Sequence, residues 1–344
     1  MKSKILSVIL LITAVHQSFG QGTSRKVSKA GTSAAAFLEI GVGARATAMG
    51  GAFVSIANDP TALYWNVAGT ANAQRNEVFA LHSEWIAETN FDFVGMVLPV
   101  GDLGKFGVSI TSLSMNDLAV RTVEKPEGTG EFFGAGDLAI GLSFSKQLSD
   151  RFGVGFTAKY IRQQIWHESA TGFAIDFGVM FRTDLFGGMV IGAAITNFGS
   201  KMRMSGRDLR QFHRIDDSKL GSNEGIPQNI DLDFWQLPVS FQLGVSTEIV
   251  RSENYRWLVA VDALHPSDNY ESVNLGTEMS LGDLIFLRGG YQSLFLADAE
   301  GGLSLGAGIK SKMLFSRAVA KFDYAYQNRD RLETVHVFSI GIEF

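Results

Sequence analysis

Cysteine is absent from all 344 residues. That excludes disulfides, thiolate metal centres and a lipid-modified N-terminal cysteine. Proline is scarce, at 6 residues, and Asp, Glu, Lys and Arg together make up only 19% of the chain. Such low charge suits a membrane protein. Yet no interior run approaches the roughly eighteen apolar residues that a membrane helix needs. The remaining way to place such a chain in lipid is a closed β-barrel, whose strands satisfy one another's backbone groups. The net charge of −5 offers no concentrated basic face for phosphates, so nucleic acid is excluded as a partner.

What is present fits that option. The chain holds 38 Gly and 26 Phe. Lys2 and Lys4 precede an apolar stretch from Ile5 to Val15, followed by Ser18-Phe19-Gly20. This is the layout of a cleaved signal peptide, residues 1–20, and it implies export. Residues 21–75 form a polar leader followed by a Gly- and Ala-rich segment. From 76 to 344 the chain alternates apolar and polar residues in long segments separated by turns.

The alternation is clean at Phe173, Ile175, Phe177, Val179 and Phe181, which interleave with Gly172, Ala174, Asp176, Gly178 and Arg182. Successive strand side chains point to opposite faces, so each segment has one apolar and one polar face. Crossing the apolar band of a membrane at a tilt takes roughly ten residues, longer than a typical soluble strand. The pattern predicts an all-β, antiparallel transmembrane barrel of an outer membrane, in contact with its lipid. Fourteen strands are expected, near 76–84, 90–100, 104–116, 135–148, 151–166, 169–183, 187–199, 235–250, 255–265, 270–281, 283–292, 299–311, 316–327 and 334–344. Turns after even strands are short. Most turns after odd strands are longer, notably 117–134 and 200–234, as in outer-membrane barrels. Phe338, Ile340, Ile342 and Phe344 share one face of the last strand. That pattern resembles the terminal signal read by barrel assembly machinery. Pairing this strand with the first would remove an exposed edge.

Motifs for chemistry fail on context. Gly41-Val42-Gly43 lacks the strand–turn–helix surroundings of a dinucleotide fingerprint. Gly302-Leu303-Ser304-Leu305-Gly306 matches a nucleophile elbow but lies inside an alternating strand. His82, His167, His213, His265 and His336 are scattered, without metal-ligand spacing. Asp216-Asp217 sits in a loop of mixed charge. No enzyme, cofactor or metal is expected. An enzymatic barrel would need a Ser–His pair on neighbouring lipid-facing positions, and none is evident. The 200–234 loop carries Arg203, Arg207, Arg210 and Arg214, a candidate partner surface, and Arg207 to Ile215 reads as a short helix.

Residues 33–70 contain Gly41-x-Gly43-x-Arg45, Met49-Gly50-Gly51-Ala52, Asn58-Asp59-Pro60 and Trp65-Asn66-x-Ala68-Gly69. This resembles the N-terminal signature of the PorV/PorQ family, within the FadL-like superfamily of long-chain fatty-acid transporters. The family usually has proline where this chain has Val67. The resemblance implies a barrel partly plugged by its N-terminal segment. It also implies an accessory or shuttle role in type IX protein secretion, with the translocon and secreted cargo as partners. The alternative is a FadL-like channel for fatty acids or other small hydrophobic molecules, with such a molecule in the lumen. Read physically, the small residues let plug backbone approach the wall. Arg45 and Asp59 call for opposite charges in the lumen.

Overall fold

The computed structural model describes residues 29–213, 225–296, 299, 301–313, 317–329, 331–332 and 334–344. The signal peptide expected at residues 1–20 lies outside them. No helix among the described residues is long and apolar enough to cross a membrane. The crossing is made by strands. Their order along the chain is β1 (Glu77–Glu84), β2 (Thr89–Val100), β3 (Gly104–Met115), β4 (Ala135–Ser149), β5 (Phe152–Ile165), β6 (Glu168–Thr183) and β7 (Met189–Gly199). The second half is β8 (Ser240–Arg251), β9 (Tyr255–Pro266), β10 (Ser272–Leu281), β11 (Ile285–Leu294), β12 (Leu303–Lys312), β13 (Val319–Gln327) and β14 (Val335–Glu343).

Each strand pairs antiparallel with its sequence neighbours. β14 closes on β1, from Glu77↔Glu343 to Glu84↔His336, leaving no free edge. The sheet is a closed, fourteen-stranded barrel. Alternation sets which side chain faces where. In β6, Gly172, Ala174, Asp176 and Gly178 are buried inside, while Phe173, Ile175 and Phe177 are exposed outside. Across β3 to β6 a row of outward phenylalanines pairs in register, Phe106↔Phe144↔Phe156↔Phe177. An exposed apolar belt of this kind is stable only against lipid. The chain is an outer-membrane, multi-pass barrel. The long connections, 116–134 and 200–239, lie at one end, which is therefore the outside. The short turns lie at the periplasmic end.

The lumen is filled by residues 33–75. Two short helices, α1 (Ala44–Ala48) and α2 (Ala62–Trp65), and several 3-10 turns make up this plug. Its N-terminal end lies at the outer mouth, where Ala34 N–H donates to Gln236 O at 2.8 Å. It ends near the periplasmic mouth, where Phe344 N–H donates to Asn76 O at 2.9 Å.

Two expectations are corrected. Arg207 to His213 is not a helix. A 3-10 turn, Arg207–Leu209, leads into a strand, Arg210–His213, that pairs with Ile226–Asn229. A helix this short gains little on its own, whereas the returning chain offers a full set of ladder partners. Ile215 and Arg214 lie outside the described residues. The strand expected from 235 starts at Ser240 instead. Pro238 cannot donate to a ladder, and the stretch before it turns aside, with Trp235 forming a single bridge to Met202.

Fit between plug and wall depends on inward glycines. A Cβ on Gly290 would lie 2.2 Å from Met49 C, and one on Gly306 would lie 2.5 Å from Ala48 Cβ. Gly289, beside Gly290 on the lipid face, has nothing closer than 3.6 Å. Gly290→Val should therefore destabilise the barrel by about 1–3 kcal/mol through overpacking. Gly289→Val should leave it unchanged. Guanidinium unfolding in detergent micelles compares the two.

Candidate functional site

Small residues start the plug's helices and strain marks its turns. Gly43, at φ 98°, leads into α1, and Gly50 and Gly51 follow it at φ 63° and 73°. These left-handed conformations favour glycine. Gly50 lies against Tyr291 backbone and Gly51 against Asn274, while Met49 is wholly buried on Gly276 and Gly290. Asp59 caps the turn into α2, accepting from Thr61 N–H at 2.9 Å, and Pro60 opens that turn. Trp65 Nε1 donates to Val42 O at 2.7 Å, with Gly41 packed against its ring.

Asn66 ties three segments together. Its Nδ2 donates to Val54 O at 2.9 Å and to Val179 O of β6 at 3.0 Å, and its Oδ1 accepts from Ala68 N–H at 3.2 Å. Val67 is the first residue of the 3-10 turn Val67–Asn72. The missing N–H of a proline would cost nothing at that position, and with valine there the chain still forms the turn. A Cβ on Gly69 would lie 2.0 Å from Ala57 O. Each motif residue of the plug thus has a packing or hydrogen-bonding role.

Arg45 reaches from α1 into a charge network. Its Nε donates to Glu278 Oε2 at 2.8 Å, and its Nη1 donates to Asn58 Oδ1 at 2.7 Å and lies 3.5 Å from Asp59. Arg288 meets the same Glu278 oxygen at 2.7 Å and Asp323 at 2.6 Å. Arg256 bridges Glu278 and Glu248, each at 3.4 Å. Three arginines from three elements converge on one carboxylate that is only 1% exposed. The network lies towards the periplasmic end of β8 to β11 and β13. Higher up, Asp262 of β9 accepts the N–H groups of Phe53 and Val54 at 2.6 and 2.8 Å. Lys159 and Asp176 pair at 2.6 Å beside Asn197, whose φ of 61° marks an irregularity in the β6–β7 ladder.

The other side of the lumen is apolar. Phe79, Leu81, Phe91, Phe93, Ile161 and Val337 pack against Phe37, Leu38 and Leu63 of the plug. A cleft of about 20 Å³ lies between Trp65, Trp85 and Phe91 on one side and Gln292, Gln327 and Arg329 on the other. A larger cleft, about 240 Å³, opens at the outer end and is lined by Ser33, Ala34, Gln163, Met202, Met204 and Trp235.

The described outer arginines make separate contacts. Arg203 pairs with Asp231 at 2.9 Å and stacks on Phe234. Arg207 donates to His167 at 2.6 Å. Arg210 is exposed on the paired ribbon, and Arg214 lies outside the described residues. Outward-facing His82 contacts Asp92 at 2.8 Å and is opposite Phe338 on β14. Among the described residues no group of three or more His, Cys, Asp or Glu could hold a metal. Sequence reasoning missed Glu278, Arg288, Asp323 and Asp262. Their signal was a charge at an inward register position of a membrane strand.

Residues 11–344 match the Uncharacterised protein family UPF0164. The chain belongs to this family. No curated protein matches this UPF0164 member. Among solved structures it is similar to the toluene transporter TodX of Pseudomonas putida, at 14% identity and TM-score 0.56, covering 88% of this chain and 97% of that one. It is also similar to the CymD monoaromatic hydrocarbon channel, at 15% identity and TM-score 0.57, with 88% and 97% covered. A FadL homologue of Pseudomonas aeruginosa aligns at 12% identity and TM-score 0.52, covering 88% and 98%. The fold is therefore that of FadL-type barrels.

Glu278→Gln would leave Arg45, Arg256 and Arg288 around a neutral group. Removing one partner of a buried ion pair costs about 3–5 kcal/mol. Asp184→Ala would break the exposed Arg151–Asp184 contact, whose side chains are 59% and 83% exposed, and should cost less than about 1 kcal/mol. Unfolding midpoints in micelles test the contrast.

Proposed function

We propose that this barrel carries small hydrophobic molecules across the outer membrane without catalysing a reaction on them. The observation that carries this reading is the two-sided lumen. An apolar wall on β1, β2, β5 and β14 continues from the methionine- and tryptophan-lined outer cleft. Such a surface offers an apolar solute an environment that water does not. The likeness to TodX, CymD and the FadL homologue supports it. The outer cleft of about 240 Å³ suits a single ring or a short chain. The inner one, about 20 Å³, holds little more than one water. Passage therefore requires part of the plug to move.

A second reading is supported by the PorV/PorQ-like signature at Gly41 to Gly69: an accessory barrel of type IX secretion, binding translocon and cargo through its outer loops. The structure of the outer arginines favours it less, since Arg203 and Arg207 are already occupied.

Proteoliposomes holding the barrel should take up radiolabelled toluene or long-chain fatty acid faster than empty ones. Met204→Trp, which fills the outer cleft, should slow uptake about tenfold, equivalent to losing roughly 1.4 kcal/mol of contact. Equal rates with and without the protein would sink the transport reading. A deletion strain with an unaltered extracellular proteome would count against the secretion reading.

A further inference from the structure

The two clefts beside the plug differ in what covers them. The wide one lies against Gln163 of β5 and Ala170 of β6, at the outer mouth. The narrow one lies on the opposite side of the barrel, against Gln292 of β11, Gln327 of β13, Val337 of β14, Ser83 of β1 and Phe91 of β2. Leu81, Phe91 and Val337 line it and belong to the apolar wall, which Phe79 and Phe93 continue further down β1 and β2. The narrow cleft is therefore the outer end of that wall.

A chain of side chains crosses its outer side. Arg329, in the β13–β14 connection, lies over the Trp85 ring, 4.1 Å from the ring centre. Its Nη2 donates to Gln327 Oε1 at 3.3 Å, and Gln327 Nε2 donates to Gln292 Oε1. All four residues border the cleft, so the chain spans it from the β1–β2 connection to β11. The ends of the chain are firmly set. Trp85 N–H donates to Thr89 O at 2.7 Å within the short connection 85–88, and its ring meets Phe91 at 6.3 Å between centres. Gln327 is 5% exposed on β13. Arg329 is on the longer connection 328–334 and half-buried. Its guanidinium meets the ring face and the amide in ways that water can replace. A long arginine stem can also carry its head group out to solvent without moving either strand.

We propose that Arg329 is the lid of a second entrance to the lumen. Stacked on Trp85, it closes the narrow cleft. Turned to solvent, it opens the apolar wall of β1, β2 and β14 to the outside. The cation–π stack sets the balance between the two positions, because it is made only in the closed one. The wide cleft lies away from this chain and needs no such step. The lid goes beyond the transport reading and stands whether or not a solute passes, since reagent access reads it without transport.

The chain has no cysteine, so Ser83→Cys places a single thiol in the narrow cleft. Ser83 is 2% exposed, which makes the closed state slow to react. Intact cells are treated with a cationic methanethiosulfonate and, separately, with an anionic one. Adding Arg329→Ala or Trp85→Ala should speed the reaction at Ser83→Cys about tenfold with both reagents, as loss of such a stack allows. Ala170→Cys, in the wide cleft, should react at the same rate with and without those changes. An unchanged rate at Ser83→Cys overturns the lid. A rise with one reagent and a fall with the other also overturns it, because the charge of Arg329 would then act without any closure. An equal rise at Ala170→Cys does so too, because the outer connections would then have loosened together.

Discussion

Everything in this molecule depends on backbone meeting backbone in the lumen. A fourteen-stranded barrel is too wide for its own side chains to fill. Here the space is filled by a folded segment of the same chain, and the wall makes room by giving up side chains. Gly276 and Gly290 receive Met49, Gly306 receives Ala48, Gly192 receives Val54, and Gly178 receives Asn66. These contacts lie on five different strands, so the plug fits in one orientation only.

Close approach creates a second requirement. The plug's short helices and turns leave many backbone groups without intrahelical partners, and no bulk water reaches them. The wall supplies the acceptors and donors. Asp262 takes two consecutive plug amides, and Asn66 spans the plug and β6. The charge network answers the same need through ion pairs. Arg45 could not be buried alone, and Glu278 could not hold three arginines without Asp59, Asp323 and Glu248 beside them. Sterics and polar satisfaction therefore select the same docked position.

Much of the barrel was legible because period-two alternation is a local property. Phe173 to Phe181 alone declare which face meets lipid. Strand ends were read less well where a local rule competed, as at Pro238. The plug signature was visible as a motif, but its roles were not. Nothing local to Arg45 says that its partner is Glu278, 233 residues away. Partnerships of that kind arise only when barrel closure brings distant registers together. The 207–215 stretch was misread for the same reason. Its polar, helix-tolerant composition says nothing of the returning strand Ile226–Asn229 that captures it.

The two ends of the plug are held by interactions of different kinds, and that difference decides where motion begins. From Arg45 to Thr70 the segment is locked by sub-contact glycine clearances, buried arginines and a chain of amide bonds. Moving any part means breaking several at once, inside a dry wall. The outer stretch, Ser33 to Glu39, is tied to the wall by three hydrogen bonds, from Ser33 to Asp268, Ala34 to Gln236 and Ala35 to Gln163, beside an open cleft. Local opening follows the weakest contiguous set of contacts. On the transport reading, a solute entering from outside meets that set first, with Phe37 and Leu38 next in line on the apolar side. Displacing them exposes the apolar wall while leaving the charge network below intact. On that reading the part of the plug that moves is its outer third, and the charged floor is the fixed end against which it moves.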